Sequence, residues 1–106
     1  MKYMIEYTIR SAGLTFEQSM ANQQALLTAF GKWKPEDGLK VQAFLSKIAG
    51  AGGYVLVEAD DAKIVQSFVA KFNFWNDIEV IPVNDVGDAV AVAHGALSWA
   101  RDAVKG

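Results

Sequence analysis

Val41-Gln42-Ala43-Phe44-Leu45-Ser46-Lys47-Ile48, then Ala49-Gly50-Ala51-Gly52-Gly53, then Tyr54-Val55-Leu56-Val57-Glu58-Ala59 is the stretch that decides the fold. Two apolar runs of strand character flank a glycine cluster near the middle of the chain, which predicts a β-hairpin with glycine supplying positive φ in the turn. A phosphate-binding loop would lead from a strand into a helix, whose N-terminal amides hold the anion. This cluster leads into a strand, so a turn is expected.

Outward from the hairpin, each side repeats the same two elements. Lys2 to Ile9 alternates as a first strand, with Tyr3, Ile5, Tyr7 and Ile9 on one face and Met4, Glu6 and Thr8 on the other. Thr15-Phe16-Glu17-Gln18 has capping-box spacing. The helix it opens carries Phe16, Met20, Gln23, Leu27 and Phe30 as its expected core stripe and stops before Pro35. Past the hairpin, Asp60 or Asp61 caps a second helix with Ile64, Val65, Phe68, Val69 and Phe72 on one face. A link from Asn73 to Asp77 carries Phe74 and Trp75 and leads to a fourth strand, Ile78 to Val83. Asp85 can cap a third helix. That helix has two apolar rows, one through Val86, Val90 and Leu97 and one through Val92 and Trp99, and so is expected to pack on more than one neighbour. The order strand, helix, strand, strand, helix, strand predicts a ferredoxin-like α+β plait. It has a four-stranded antiparallel sheet, helices on one face and an extra C-terminal helix, all in a single domain over residues 1–106.

Composition narrows the function classes. The 106 residues carry 10 basic and 12 acidic side chains, a net charge of −2, which argues against a nucleic-acid surface. No cysteine is present, so disulfides and thiolate metal sites are excluded. No run is long and apolar enough for a membrane span, and no secretory signal is expected at the N-terminus, so the expected location is cytoplasmic. Hydrophobic residues make up 52% of the chain, more than a plait with one buried sheet face needs, and a second buried apolar surface is expected.

Several stretches resemble a family of small uncharacterised bacterial proteins of the dimeric α+β barrel, ferredoxin-like superfamily. They are Lys2-Tyr3-Met4-Ile5-Glu6-Tyr7-Thr8-Ile9, Phe30-Gly31-Lys32-Trp33-Lys34-Pro35-Glu36-Asp37-Gly38, the glycine turn into Tyr54-Val55-Leu56-Val57-Glu58-Ala59-Asp60-Asp61, and Val80-Ile81-Pro82-Val83. The resemblance covers nearly the whole chain. It implies the plait and a homodimer, and it implies no activity, because that family has none established. The wider superfamily holds cofactor-free monooxygenases, lactone isomerases, haem-handling enzymes and sensing domains. No motif here matches a catalytic residue of theirs.

The face away from the helices is therefore the place to look. Ile5, Val55 and Val57 are assigned to the helix side, which leaves Met4, Glu6, Thr8, Gln42, Phe44, Ser46, Tyr54, Leu56, Glu58, Glu79 and Ile81 opposite. Of these, Glu6, Thr8, Phe44, Tyr54, Glu58 and Glu79 are the candidate lining of a barrel cavity between two copies. The expected function is a homodimer, paired through this face, that binds a small apolar ligand or serves in assembly without catalysis. The alternative is a cofactor-independent enzyme, monooxygenase- or isomerase-like, in which Glu6 and Glu58 act as acid or base. No cofactor and no metal are expected. The one histidine, His94, falls on the least apolar row of the third helix and is expected to face solvent. The RNA-binding version of this plait carries a basic residue and two exposed aromatics on its third strand. Gly53-Tyr54-Val55-Leu56-Val57-Glu58 offers one aromatic and a carboxylate instead, so nucleic acid is not an expected partner.

Overall fold

β1 (Lys2–Ile9) lies inside a four-stranded sheet, hydrogen-bonded on one side to β3 (Gly52–Glu58) and on the other to β4 (Asn76–Val83). β2 (Lys40–Ser46) completes the sheet beside β3, giving the order β2-β3-β1-β4 with every pair antiparallel. The computed structural model describes residues 1–105. α1 (Phe16–Lys32) connects β1 to β2, α2 (Ala62–Phe72) connects β3 to β4, and α3 (Val86–Val104) follows β4. This is the ferredoxin-like α+β fold with an added C-terminal helix.

Local chemistry sets the helix starts. The Thr15 hydroxyl accepts from the Gln18 amide at 3.1 Å, and the Gln18 side chain accepts from the Thr15 amide at 3.0 Å, closing the capping box. Asp61, not Asp60, caps α2 by accepting from the Lys63 amide at 2.9 Å. Asp85 occupies the N-cap position of α3, but its carboxylate is turned to Lys2 at 2.8 Å instead of to the helix amides. That hydrogen bond and the charge of Asp85 hold the Lys2 ammonium above its ordinary value.

The core forms where α2 covers the sheet. Ile5, Val55 and Val57 are each at most 1% exposed, and Val65, Phe68 and Phe72 of α2 are buried over them. Burial of such side chains stabilises by about 1.5–3 kcal/mol each. The helix side of the sheet is thus the one carrying Ile5, Val55 and Val57, as the alternation predicts. β4 begins two residues earlier than the pattern indicates. Asn76 is buried there, donating its side-chain amide to the Phe72 carbonyl at 2.9 Å, while Arg10 donates to the Asn76 carbonyl at 2.8 Å.

Three features depart from the simple reading. In β2 the register shifts between Val41 and Ala43, so Phe44 pairs with Val55 and Leu45 with Tyr54. One extra residue reverses the alternation beyond it. Phe44 and Ser46 therefore lie on the helix side, not on the open face, and Leu45 takes the open position. Second, the expected core stripe of α1 is not packed: Phe16 is 79% exposed, Met20 59% and Leu27 58%. The helix is held at its C-terminal end, where Trp33 meets Phe68 at 4.8 Å between ring centroids and Phe30 meets Phe44 at 5.3 Å. Third, α3 buries no residue against its own chain. The chain measures 67 × 31 × 22 Å with a radius of gyration of 19.1 Å, where a compact chain of this size would have about 13 Å.

Glycine is required in the hairpin for space as well as for φ. Gly50 has φ +82°, in the left-handed region. At Gly53 a Cβ would lie 1.9 Å from the Leu45 carbonyl oxygen and 2.5 Å from the Tyr7 hydroxyl. Gly53→Ala is expected to destabilise the chain by about 2 kcal/mol or more through overpacking, and Gly50→Ala, which meets no atom, by about 1 kcal/mol. Urea unfolding of both variants checks the ranking.

Candidate functional site

The strand registers place every predicted site residue on one side of the sheet or the other. Pairing of Glu6 with Tyr54 on β3 and with Glu79 on β4 sets Leu45, Tyr54, Glu6 and Glu79 in one row across the open face. The next row towards the Lys2 end holds Ala43, Leu56, Met4 and Ile81. Glu58 pairs with both Lys2 and Lys40 at the far end of the face, and Thr8 pairs with Gly52 and Asp77 at the other. Glu6, Thr8, Tyr54, Glu58 and Glu79 thus share the open face, and Phe44 does not.

This geometry separates the two carboxylates proposed to work together. Glu6 and Glu58 are four strand positions apart, about 13 Å. The carboxylate beside Glu6 is Glu79, its direct cross-strand partner. Like charges so placed repel, and Lys47 offsets them: its ammonium lies 3.6 Å from Glu6 and 5.6 Å from the Tyr54 ring centroid. Glu58 accepts from the Gln42 side chain at 2.9 Å. His94 is exposed on α3, and among the described residues no group of three or more His, Cys, Asp or Glu is placed to hold a metal ion. No helix among the described residues is long and apolar enough to cross a membrane.

A second site lies on the helix side, where the sequence pointed to nothing. Because α1 is held only near its C-terminal end, a pocket of about 430 Å³ opens between it, the sheet and α2. Leu26, Leu27 and Phe30 line it from α1, Phe44 and Ile78 from the sheet, and Phe68 from α2. Tyr7 and Asn76 stand in its wall. The Tyr7 hydroxyl donates to the Leu45 carbonyl at 3.2 Å, and the Asn76 side-chain oxygen is buried with no partner. Trp75, in the α2–β4 link, is fixed by its backbone: its amide donates to the Phe72 carbonyl and its carbonyl accepts from the Arg10 amide. The β2 bulge swings Phe44 under α1, and alternation alone does not place a bulge, so the pocket had no signal in the sequence.

The match to known proteins is to the family described as "Domain of unknown function (DUF3303)", over residues 1–97. The chain belongs to this family. No curated protein matches it. Among solved structures it is similar to SCO4226 from Streptomyces coelicolor A3(2), at 18% sequence identity and a TM-score of 0.38, over 78% of this chain and 99% of that one.

Burial raises the Tyr7 phenol above its ordinary value of 10.0. The folded state therefore keeps its proton to higher pH than the unfolded state. Stability is full below pH 10.0, falls as pH rises through it, and stops falling once pH passes the folded-state value. Tyr7→Phe is expected to flatten that loss relative to the unmodified chain, checked by urea midpoints between neutral and strongly alkaline pH.

Proposed function

We propose that this member of the family works as a homodimer. Each copy buries the open sheet face of the other, and α3 of each lies against its partner. The observation that carries the proposal is that one chain presents two large unpartnered apolar surfaces: α3, with Val92 at 70% and Trp99 at 73% exposure, and the sheet face, with Leu45 at 58% and Ile81 at 43%. Exposed apolar area on this scale marks an interaction surface. Lys2, on the open-face side of β1, binds Asp85 at the start of α3, so the helix leaves the domain from the same side as that face. The open face and one side of α3 together offer a footprint on the order of 700 Å², from strand spacing and helix rise. A standard stable interface takes about 800 Å² per partner. In this reading the Glu6–Glu79 row with Lys47, and Glu58 with Gln42, are polar groups of an interface. Each of Glu6 and Glu58 already has a partner in its own chain, which supports assembly over acid–base chemistry.

Light scattering behind size exclusion tests the proposal. The expected mass is twice 11.5 kDa at low micromolar concentration. Leu56→Glu places a charge in the centre of the face, and is expected to weaken association at least about tenfold while leaving the circular dichroism spectrum unchanged. A monomer at every concentration, or a Leu56→Glu variant that associates as tightly as the unmodified chain, overturns it.

A further inference from the structure

We propose that the space beneath α1 is a binding site for a small, mostly apolar molecule carrying one hydrogen-bond donor, such as an aromatic or alicyclic alcohol. The pocket, at about 430 Å³, falls within the ~300–1,000 Å³ of small-molecule sites. No charged side chain among the described residues lines it, so an ionic ligand would be desolvated without compensation.

Four polar side chains stand in the wall: Tyr7, Ser46, Asn76 and Gln23, the last of them exposed to solvent. The Tyr7 hydroxyl is committed to the Leu45 carbonyl, and the Ser46 hydroxyl to the Lys47 carbonyl. The Asn76 amide nitrogen is committed to Phe72, but the Asn76 side-chain oxygen has no partner, and the residue is 3% exposed. A buried acceptor left empty is costly and rare in a folded protein. In this wall the missing group is a donor. Leu27, which lines the pocket from α1, is 58% exposed, and an occupant would cover it.

The probe is 2-naphthol, with 2-methoxynaphthalene as the analogue that has no donor. Both are titrated into the full chain and followed by heteronuclear NMR. Saturable binding is expected, with shifts at α1, Phe44, Phe68 and Ile78, and slower amide exchange along α1. The alcohol is expected to bind about threefold to tenfold tighter than the ether, the worth of one net hydrogen bond. Ser46→Trp, at an exposed position of the wall, is expected to weaken both probes at least tenfold. Asn76→Leu is expected to abolish the preference for the alcohol; if that variant does not fold, the alcohol–ether comparison and Ser46→Trp decide alone. No saturable binding up to the probes' solubility, or shifts centred on Tyr54, Leu56 and Ile81 of the open face, overturns the site. Equal affinity for the two probes overturns the donor requirement. The site does not depend on the dimer: Leu56→Glu is expected to bind 2-naphthol as the unmodified chain does, so failure of either proposal is seen separately.

Discussion

The extra residue in β2 between Val41 and Ala43 turns Phe44 towards the helices, and the helix side of the sheet is arranged around that ring. Phe44 stands 5.3 Å from Phe30, 5.8 Å from Tyr7 and 6.4 Å from both Trp33 and Phe68, measured between ring centroids. These contacts gather the C-terminal end of α1, the edge of the sheet and α2 into one aromatic cluster. Edge-to-face pairs of this kind add about 0.5–1.5 kcal/mol beyond the area they bury. The same bulge sets Leu45 opposite Tyr54, which directs its side chain to the open face while its carbonyl receives the Tyr7 hydroxyl. Gly53 lies beneath that hydrogen bond. Its missing side chain is what allows Tyr7 to cross β3 and reach β2.

A helix anchored at one end has a free end, and the pocket follows from that. Trp33 and Phe30 seat the last turn of α1, and Trp33 is tied further by its indole to Glu36, which also binds Lys71 of α2 at 2.6 Å. Among the described residues no comparable set holds the first turns, where Phe16 and Met20 look into solvent. Close packing is what normally excludes voids. Here the aromatic cluster fixes the separation of helix and sheet near Phe44, and the smaller side chains towards the hairpin end, Ser46 and the glycines Gly50 and Gly52, leave the intervening space unfilled.

The fold was legible because its determinants are local and periodic. The alternation of β1, the capping box at Thr15, the stripe of α2 and the glycine hairpin each name their element without reference to the others. The open-face positions of Glu6, Thr8, Tyr54, Glu58 and Glu79 followed from period-two alternation alone. Phe44 and Ser46 did not, because a bulge changes parity without changing composition. The pairing of Glu6 with Glu79 rather than Glu58 depends on strand register, a non-local property that alternation leaves free. The packing of α1 was misjudged for a related reason. A 3.6-residue stripe shows which face of a helix is apolar but not how far along its length that face finds a partner. The unpartnered oxygen of Asn76 was invisible for the same cause, since that residue reads as part of a polar link until β4 is seen to begin there.

α3 brings the chain's energetics and its proposed assembly together. Isolated helices are marginal in water even with favourable sequences. α3 contains Gly95, unfavourable by about 1 kcal/mol in a helix interior, a further glycine, Gly87, in its first turn, and the β-branched Val86, Val90, Val92 and Val104. Its Asp85 cap makes no side-chain hydrogen bond to the helix. Propensity and capping therefore supply little, and its own chain supplies no burial. A helix of this composition owes its stability to tertiary contact. Among the described residues, one apolar surface left open is the sheet face from whose side α3 departs. A single copy extended over 67 Å does not close one against the other; in the proposed homodimer, two copies related by a two-fold axis would each supply what the other lacks.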